Sequence, residues 1–252
     1  MKILLLNPNT TASMTQAIAA AARAVAAPGT EVRATQPSFG PVSIESHYDE
    51  AFAAAGVAEQ VRLAAEDPPD ATVIACFGDP GLDAAREVLD GPVLGIAEAA
   101  FHVASMLATG FSVVTTMTRT CVMAERLVQR YGFERSCRGI HGTDIPVLAL
   151  EQAGEPMLRQ IEEAARTALA RDGSGAIVLG CAGMAPLCAT LSDRLGVPVV
   201  DGVAAAVKLA EALVGLGLRT SRRGDYAQPL AKPFTGWAQG LAWEATRAAG
   251  GR

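Results

Sequence analysis

Two of the five cysteines stand at matching places in the chain. Ala71-Thr72-Val73-Ile74-Ala75-Cys76 and Ala176-Ile177-Val178-Leu179-Gly180-Cys181 agree in residue type and order, 105 residues apart. Each reads as a buried strand ending in a thiol, followed by a Gly-containing turn and a helix. Backbone amides and a positive helix end at that location favour thiolate. A duplicated fold would set the two thiols on opposite walls of one cleft. Opposed acid/base groups flanking a planar carbanion are what inversion at an acidic C–H requires: one thiolate takes the proton from one face, and the opposite thiol delivers a proton to the other. A single buried cysteine is ordinarily a small hydrophobe; the pairing sets Cys76 and Cys181 apart. Cys121, Cys137 and Cys188 lack counterparts and read as structural.

Other thiol chemistries fit poorly. A phosphatase-type loop needs Arg six residues after its cysteine, where this chain has Leu82 and Leu187. Neither cysteine has a CxxC partner, which removes the usual zinc and dithiol patterns. His47, His102 and His141 lie in no nucleophile-activating motif and read as surface or packing residues. No GxGxxG, GxxxxGK[ST] or HExxH occurs, so no nucleotide or metal cofactor is expected.

The elements that must position these thiols alternate between short apolar runs and longer Ala-rich segments, the pattern of a parallel α/β protein. Lys2–Leu6, Thr72–Cys76, Ser112–Thr116 and Ala176–Cys181 read as strands, apolar enough to be buried on both faces. Ser13–Ala27, Ala51–Ala65, Leu82–Leu89, Val122–Tyr131, Met157–Arg171 and Ala204–Leu216 read as helices. The repeat extends beyond the cysteines. Pro92-Val93 and Pro198-Val199 begin matching strands, and Glu98-Ala99-Ala100 parallels Ala204-Ala205-Ala206 as a small-residue helix start. Leu4-Leu5-Leu6-Asn7 aligns with Val113-Val114-Thr115-Thr116. A period above 100 residues denotes a duplicated domain and not a solenoid. The expectation is two pseudo-symmetric parallel-sheet α/β lobes, residues 1–97 plus 208–252 and residues 98–207, with the site in the cleft between them.

Composition bounds the rest. The 252 residues are 50% hydrophobic and 19% charged, which excludes a disordered chain. A net charge of −5 with no basic stripe argues against nucleic acid. No run of about 18 apolar residues suggests a membrane span. The four-residue apolar run before Asn7-Pro8 is shorter than the roughly 7 residues of a secretory h-region, so a cytoplasmic location is expected. An odd number of cysteines disfavours a disulfide framework.

Several motifs carry a family resemblance along nearly the whole chain. They are Asn7-Pro8-Asn9-Thr10-Thr11, the Gly40–Ala51 run Gly-Pro-Val-Ser-Ile-Glu-Ser-His-Tyr-Asp-Glu-Ala and Cys76-Phe77-Gly78-Asp79-Pro80-Gly81-Leu82. Gly95-Ile96-Ala97-Glu98-Ala99-Ala100, Ser112–Thr116, Gly180-Cys181-Ala182-Gly183-Met184 and Val199-Val200-Asp201-Gly202 follow in order. On these the chain resembles the aspartate/glutamate racemase superfamily, and within it the hydantoin/allantoin racemase branch. The resemblance implies a cofactor-independent racemase of two pseudo-symmetric α/β domains, with Cys76 and Cys181 as its two acid/bases, and commonly a homo-oligomer. It also places Asn9 and the Phe39–Val42 segment at the cleft.

Amino-acid racemases of the superfamily follow their cysteines with Asn-Thr and Thr-Glu; this chain has Phe77-Gly78 and Ala182-Gly183. That departure suits a neutral ring whose carbonyls accept hydrogen bonds. The expected substrate is a 5-substituted hydantoin, with allantoin foremost. Amides around Gly78-Asp79 and Gly183-Met184, with Thr116, are expected to hold the ring carbonyls and the enolate. Asn9 also reads as the start of the first helix, Asp79 as a turn residue, Phe39 as core and Thr116 as a helix cap. Maleate isomerisation, amino-acid racemisation and a non-catalytic two-lobed small-molecule binder remain open alternatives.

Overall fold

The computed structural model describes residues 1–152 and 154–243. Two four-stranded parallel sheets carry the fold. The first joins β1 (Lys2–Leu6), β2 (Glu31–Thr35), β3 (Ala71–Ile74) and β4 (Val93–Gly95) in the order β2-β1-β3-β4. The second joins β5 (Phe111–Thr115), β6 (Cys137–Gly142), β7 (Ala176–Leu179) and β8 (Val199–Asp201) in the order β6-β5-β7-β8. Every residue of β3, β5 and β7 is buried, as central strands of a sheet covered on both faces must be.

Helices follow the strands. In chain order they are α1 (Ala12–Val25), α2 (His47–Ala64), α3 (Leu82–Val88), α4 (Ile96–Leu107), α5 (Cys121–Arg130), α6 (Glu155–Asp172), α7 (Cys188–Leu195) and α8 (Gly202–Gly215). Helix α2 starts four residues before the Ala51 expected from its Ala content. Ser46 accepts a hydrogen bond from the Asp49 amide, and the Asp49 carboxylate accepts one from the Glu45 amide. This reciprocal cap sets the start, with Asp49 and Glu50 also suiting the first turn. Helix α6 closes at Asp172, where Gly173 adopts φ +62°.

The repeat is real in three dimensions, with one change of register. Ile3 pairs with Ala71 in the first sheet, and Phe111 pairs with Ala176 in the second. Leu6 therefore corresponds to Val114 and Asn7 to Thr115, one residue earlier than the alignment of Asn7 with Thr116. Side chains alternate faces along a strand, so only the paired register keeps equivalent residues on equivalent faces.

The helix that follows the last strand of each sheet packs on elements of the other sheet's half. Helix α4 packs against β7, β8 and α5, while α8 packs against α1, β3 and β4, and the two helices pack on each other. Their starts meet closely enough that a Cβ on Gly202 would fall 2.5 Å from the Ile96 carbonyl oxygen. Phe101 of α4 is fully buried, stacked on Phe111 at 5.5 Å and edge-on to Phe77 at 5.6 Å. One apolar core thus runs through both lobes and fixes the walls of the cleft relative to each other.

Candidate active site

In each sheet the chain leaves the first strand toward one side and returns on the other, so the crevice beyond the carboxyl ends of β1/β3 and of β5/β7 is where a ligand is expected. Cys76 and Cys181 lie two residues beyond β3 and β7 at these points. Both line one cavity of about 60 Å³ between the lobes. A single water needs roughly 10–15 Å³ by the same kind of measure, so the space suits a small ligand.

The turns after the two thiols match. The Asp79 amide donates to the Cys76 carbonyl and the Met184 amide to the Cys181 carbonyl, each at 3.0 Å. The two amides before each closing bond, those of Phe77 and Gly78 and of Ala182 and Gly183, precede the turn's first hydrogen bond. The Gly78 and Gly183 amides lie within hydrogen-bonding reach of their respective sulfurs.

Burial decides the protonation of the thiols. It pushes Cys76 well above the ordinary thiol value, nearby Cys181 adds to the shift, and the Gly78 amide opposes it. Burial pushes Cys181 up to about 11, against the pull of the Gly183 amide. The expected helix end is present at Cys181, which directly precedes the 3-10 turn Ala182–Leu187, and is absent at Cys76. Helix α3 begins only at Leu82, beyond the Gly81 cap, so its positive end is not at the Cys76 sulfur. The resting pair is two neutral thiols.

Asn9, Gly78, Thr116 and Gly183 join the two cysteines in lining the cavity. The Asn9 carboxamide oxygen accepts from the Thr11 amide at 2.9 Å and from Asn7, so the residue shapes the entry to α1 and also faces the cavity. Four other expected residues are not brought to this wall. Phe39 packs edge-on against Trp237 at 5.5 Å, and Val42 is 57% exposed. Met184 is fully buried in the core of the second lobe. Asp79 turns its carboxylate away, accepting from the Ala97 amide at 3.1 Å, the Glu98 amide at 3.0 Å and the Tyr131 hydroxyl at 2.9 Å. The reason is steric and electrostatic: the start of α4 offers unpaired amides, and Gly95 leaves the space the carboxyl needs.

Sequence reasoning missed Ile44, Thr115, Met123 and Val147, which also line the cavity. Ile44 arrives on the loop before α2, and its neighbour Glu45 accepts from the Val147 amide at 2.8 Å across the cleft. Contacts between residues 102 positions apart leave no local signal. Thr115 was within reach, because the pleat alternation makes it the partner of Asn7. Its hydroxyl donates to the Gly180 carbonyl at 2.8 Å, beside Cys181.

Among the described residues, no Asp, Glu, Lys, Arg or His lines the cavity, and no group of three or more His, Cys, Asp and Glu side chains could hold a metal. Among the same residues, no helix is long and apolar enough to cross a membrane.

Fold and site together define a two-lobed α/β enzyme with one thiol from each lobe at a shared, uncharged cavity. The model of the Asp/Glu/hydantoin racemase family matches residues 3–210, and the chain belongs to that family. A hydantoin racemase of Pseudomonas sp. (strain NS671) is 47% identical over 236 residues, covering 94% of this chain and 95% of the relative. The structure of allantoin racemase from Klebsiella pneumoniae superposes with a TM-score of 0.93 at 55% identity, covering 96% of this chain and 98% of that one. Allantoin racemase from Pseudomonas fluorescens gives 0.90 at 42% identity, covering 94% and 100%. The chain is accordingly an enzyme of the racemase class of isomerases.

Proposed function

We propose that the protein racemises 5-substituted hydantoins, allantoin foremost, by moving a proton at C5 between Cys76 and Cys181 without a cofactor. The observation that carries this reading is the pair of thiols from symmetric turns on one small cavity lined by no charged side chain. A thiolate on one wall removes the C5 proton, and the neutral thiol opposite protonates the other face of the planar enolate. Reversal of the two roles serves the other enantiomer. The amides of Phe77, Gly78, Ala182 and Gly183, with Thr116, are the donors nearest to the ring carbonyls and to the charge that develops on them. Names of relatives at 42–55% identity favour hydantoins and allantoin in particular.

Free amino acids and maleate fit less well, because a substrate carboxylate buried here would meet no cationic side chain among the described lining residues. The test is incubation of each enantiomer of allantoin and of 5-benzylhydantoin in D₂O. Decay of optical rotation together with deuterium uptake at C5 is expected, faster for allantoin. Unchanged rotation with no deuterium in either compound would sink the proposal. Preference for the benzyl compound would overturn the allantoin assignment alone.

A further inference from the structure

Asp79 is buried, 2% exposed, and stands three residues after Cys76. Its φ of +44° lies in the left-handed region, which is unfavourable for a non-glycine residue and persists only where the surroundings hold it. Here they do. Its carboxylate takes the amides of Ala97 and Glu98 at the start of α4 and the hydroxyl of Tyr131 at the end of α5. The Cys76 turn is thereby bound to two helices that lie against the second lobe.

The symmetric place shows that capping α4 does not require this arrangement. In the second lobe Asp201, the residue just before α8, caps its own helix through the Val203 and Ala204 amides at 3.0 and 2.9 Å. These amides are the counterparts of Ala97 and Glu98. The counterpart of Asp201 is Gly95, which has no side chain, and a Cβ there would overlap the Asp79 carboxyl. The counterpart of Asp79 is Met184, which cannot accept those bonds. The second lobe instead steadies the residue before its cysteine through the Thr115 hydroxyl on the Gly180 carbonyl. The same helix cap has been moved, in one lobe only, into the turn that bears the thiol.

We infer that Asp79 is a positioning residue for Cys76 alone: it ties the Cys76 turn to the starts and ends of α4 and α5, holding the thiol and the Gly78 amide against the cavity. The assignment of its effect to one half of a proton relay rests on the two-thiol reading; the tie itself does not. A turn held in this way opens rarely, and a buried thiol reacts with external reagents only when its surroundings open.

The decisive variant transplants the second lobe's arrangement into the first: Asp79→Gly with Gly95→Asp. Glycine accepts the left-handed backbone, and the aspartate before α4 can cap it as Asp201 caps α8, so the helix keeps its cap while the turn loses its tie. Iodoacetamide labelling followed by peptide mass spectrometry is expected to show Cys76 reacting at least about fivefold faster, with Cys181 within about twofold of its original rate. In a Cys181→Ser background, deuterium uptake at C5 of the hydantoin enantiomer served by Cys76 should fall about tenfold. In a Cys76→Ser background, uptake from the other enantiomer should stay within about twofold. Asp79→Asn, which tolerates the same backbone and loses one acceptor, should show the same asymmetry at smaller amplitude and serves if the double variant does not fold. Equal changes at both thiols, or no change at either in a folded variant, would overturn the inference. If the unmodified enzyme exchanges no hydantoin, the two-thiol reading fails and the labelling arm still decides on the tie.

Discussion

The two lobes hold their cysteine turns by different means although each turn closes with the same backbone bond to the cysteine carbonyl. In the first, a carboxylate within the turn reaches out to α4 and Tyr131. In the second, the turn is held from inside its own sheet by Thr115 on Gly180, and α8 is capped independently by Asp201. Duplication therefore preserved where the thiols stand and not how they are supported. The Cys76 turn is tied to the other lobe by side-chain hydrogen bonds, whereas the segment after Cys181, Ala182–Leu187, meets α1 of the first lobe by packing. Two groups proposed to exchange roles in one reaction thus have unequal neighbours.

The largest expected effect tests whether the walls are equivalent in chemistry. Cys76→Ser and Cys181→Ser should each lower racemisation by about 10²–10⁴-fold, followed by circular dichroism of one enantiomer. Each should retain deuterium exchange into the opposite single enantiomer. Normal racemisation by both variants would leave the thiols as packing residues and dissolve the comparison.

Next in size is the response to pH. Both thiols are held above the ordinary value of 9.0, chiefly by burial, so the resting pair is neutral near pH 7. The population with one thiolate grows about tenfold per unit below the first ionisation. The logarithm of kcat/KM should rise with pH across the neutral range up to about 9; a plateau already present at pH 7 contradicts it. The sign for stability is the reverse. Folding favours the neutral thiol, so that contribution is complete below the unfolded value of 9.0 and is lost as pH climbs through the folded value, about 11 for Cys181.

The smallest effects separate the two caps. Gly95→Ala places a methyl group against the Asp79 carboxyl and should cost about 3 kcal/mol in urea unfolding, through overpacking and a damaged cap. Asp201→Ala should cost about 1 kcal/mol. Cys76 labelling should respond to the first substitution and not to the second; similar labelling in both would mean that the cap in the turn carries no special coupling.

Much of this was legible before any coordinates. Strands β3, β5 and β7 announced themselves as continuous apolar runs because both their faces are buried. The edge strands β2 and β6 did not. Glu-Val-Arg-Ala-Thr alternates with charge, and Cys-Arg-Gly-Ile-His-Gly has two glycines and a single β-branched residue; edge strands are half-solvated and tolerate such residues. Gly78, Thr116 and Gly183 could be placed beside the cysteines because each follows a strand closely in sequence, whereas Asn9 was placed there by the family resemblance. Phe39 and Val42 could not be placed, since a loop's course depends on what it packs against. Only the distant contacts bring Ile44 and Val147 to the same cavity.

The amino-acid sequence by itself determined the duplication, the class of fold and the identity of the paired thiols, because those follow from short-range periodicity and from repetition of residue types. Tertiary structure decided the state of those thiols and the role of Asp79. Protonation depends on how completely water is excluded, and a carboxylate chooses between solvent, ligand and unpaired amides according to which lie within about 3 Å of it. Burial and proximity are set by the whole packed chain, and no local pattern records them.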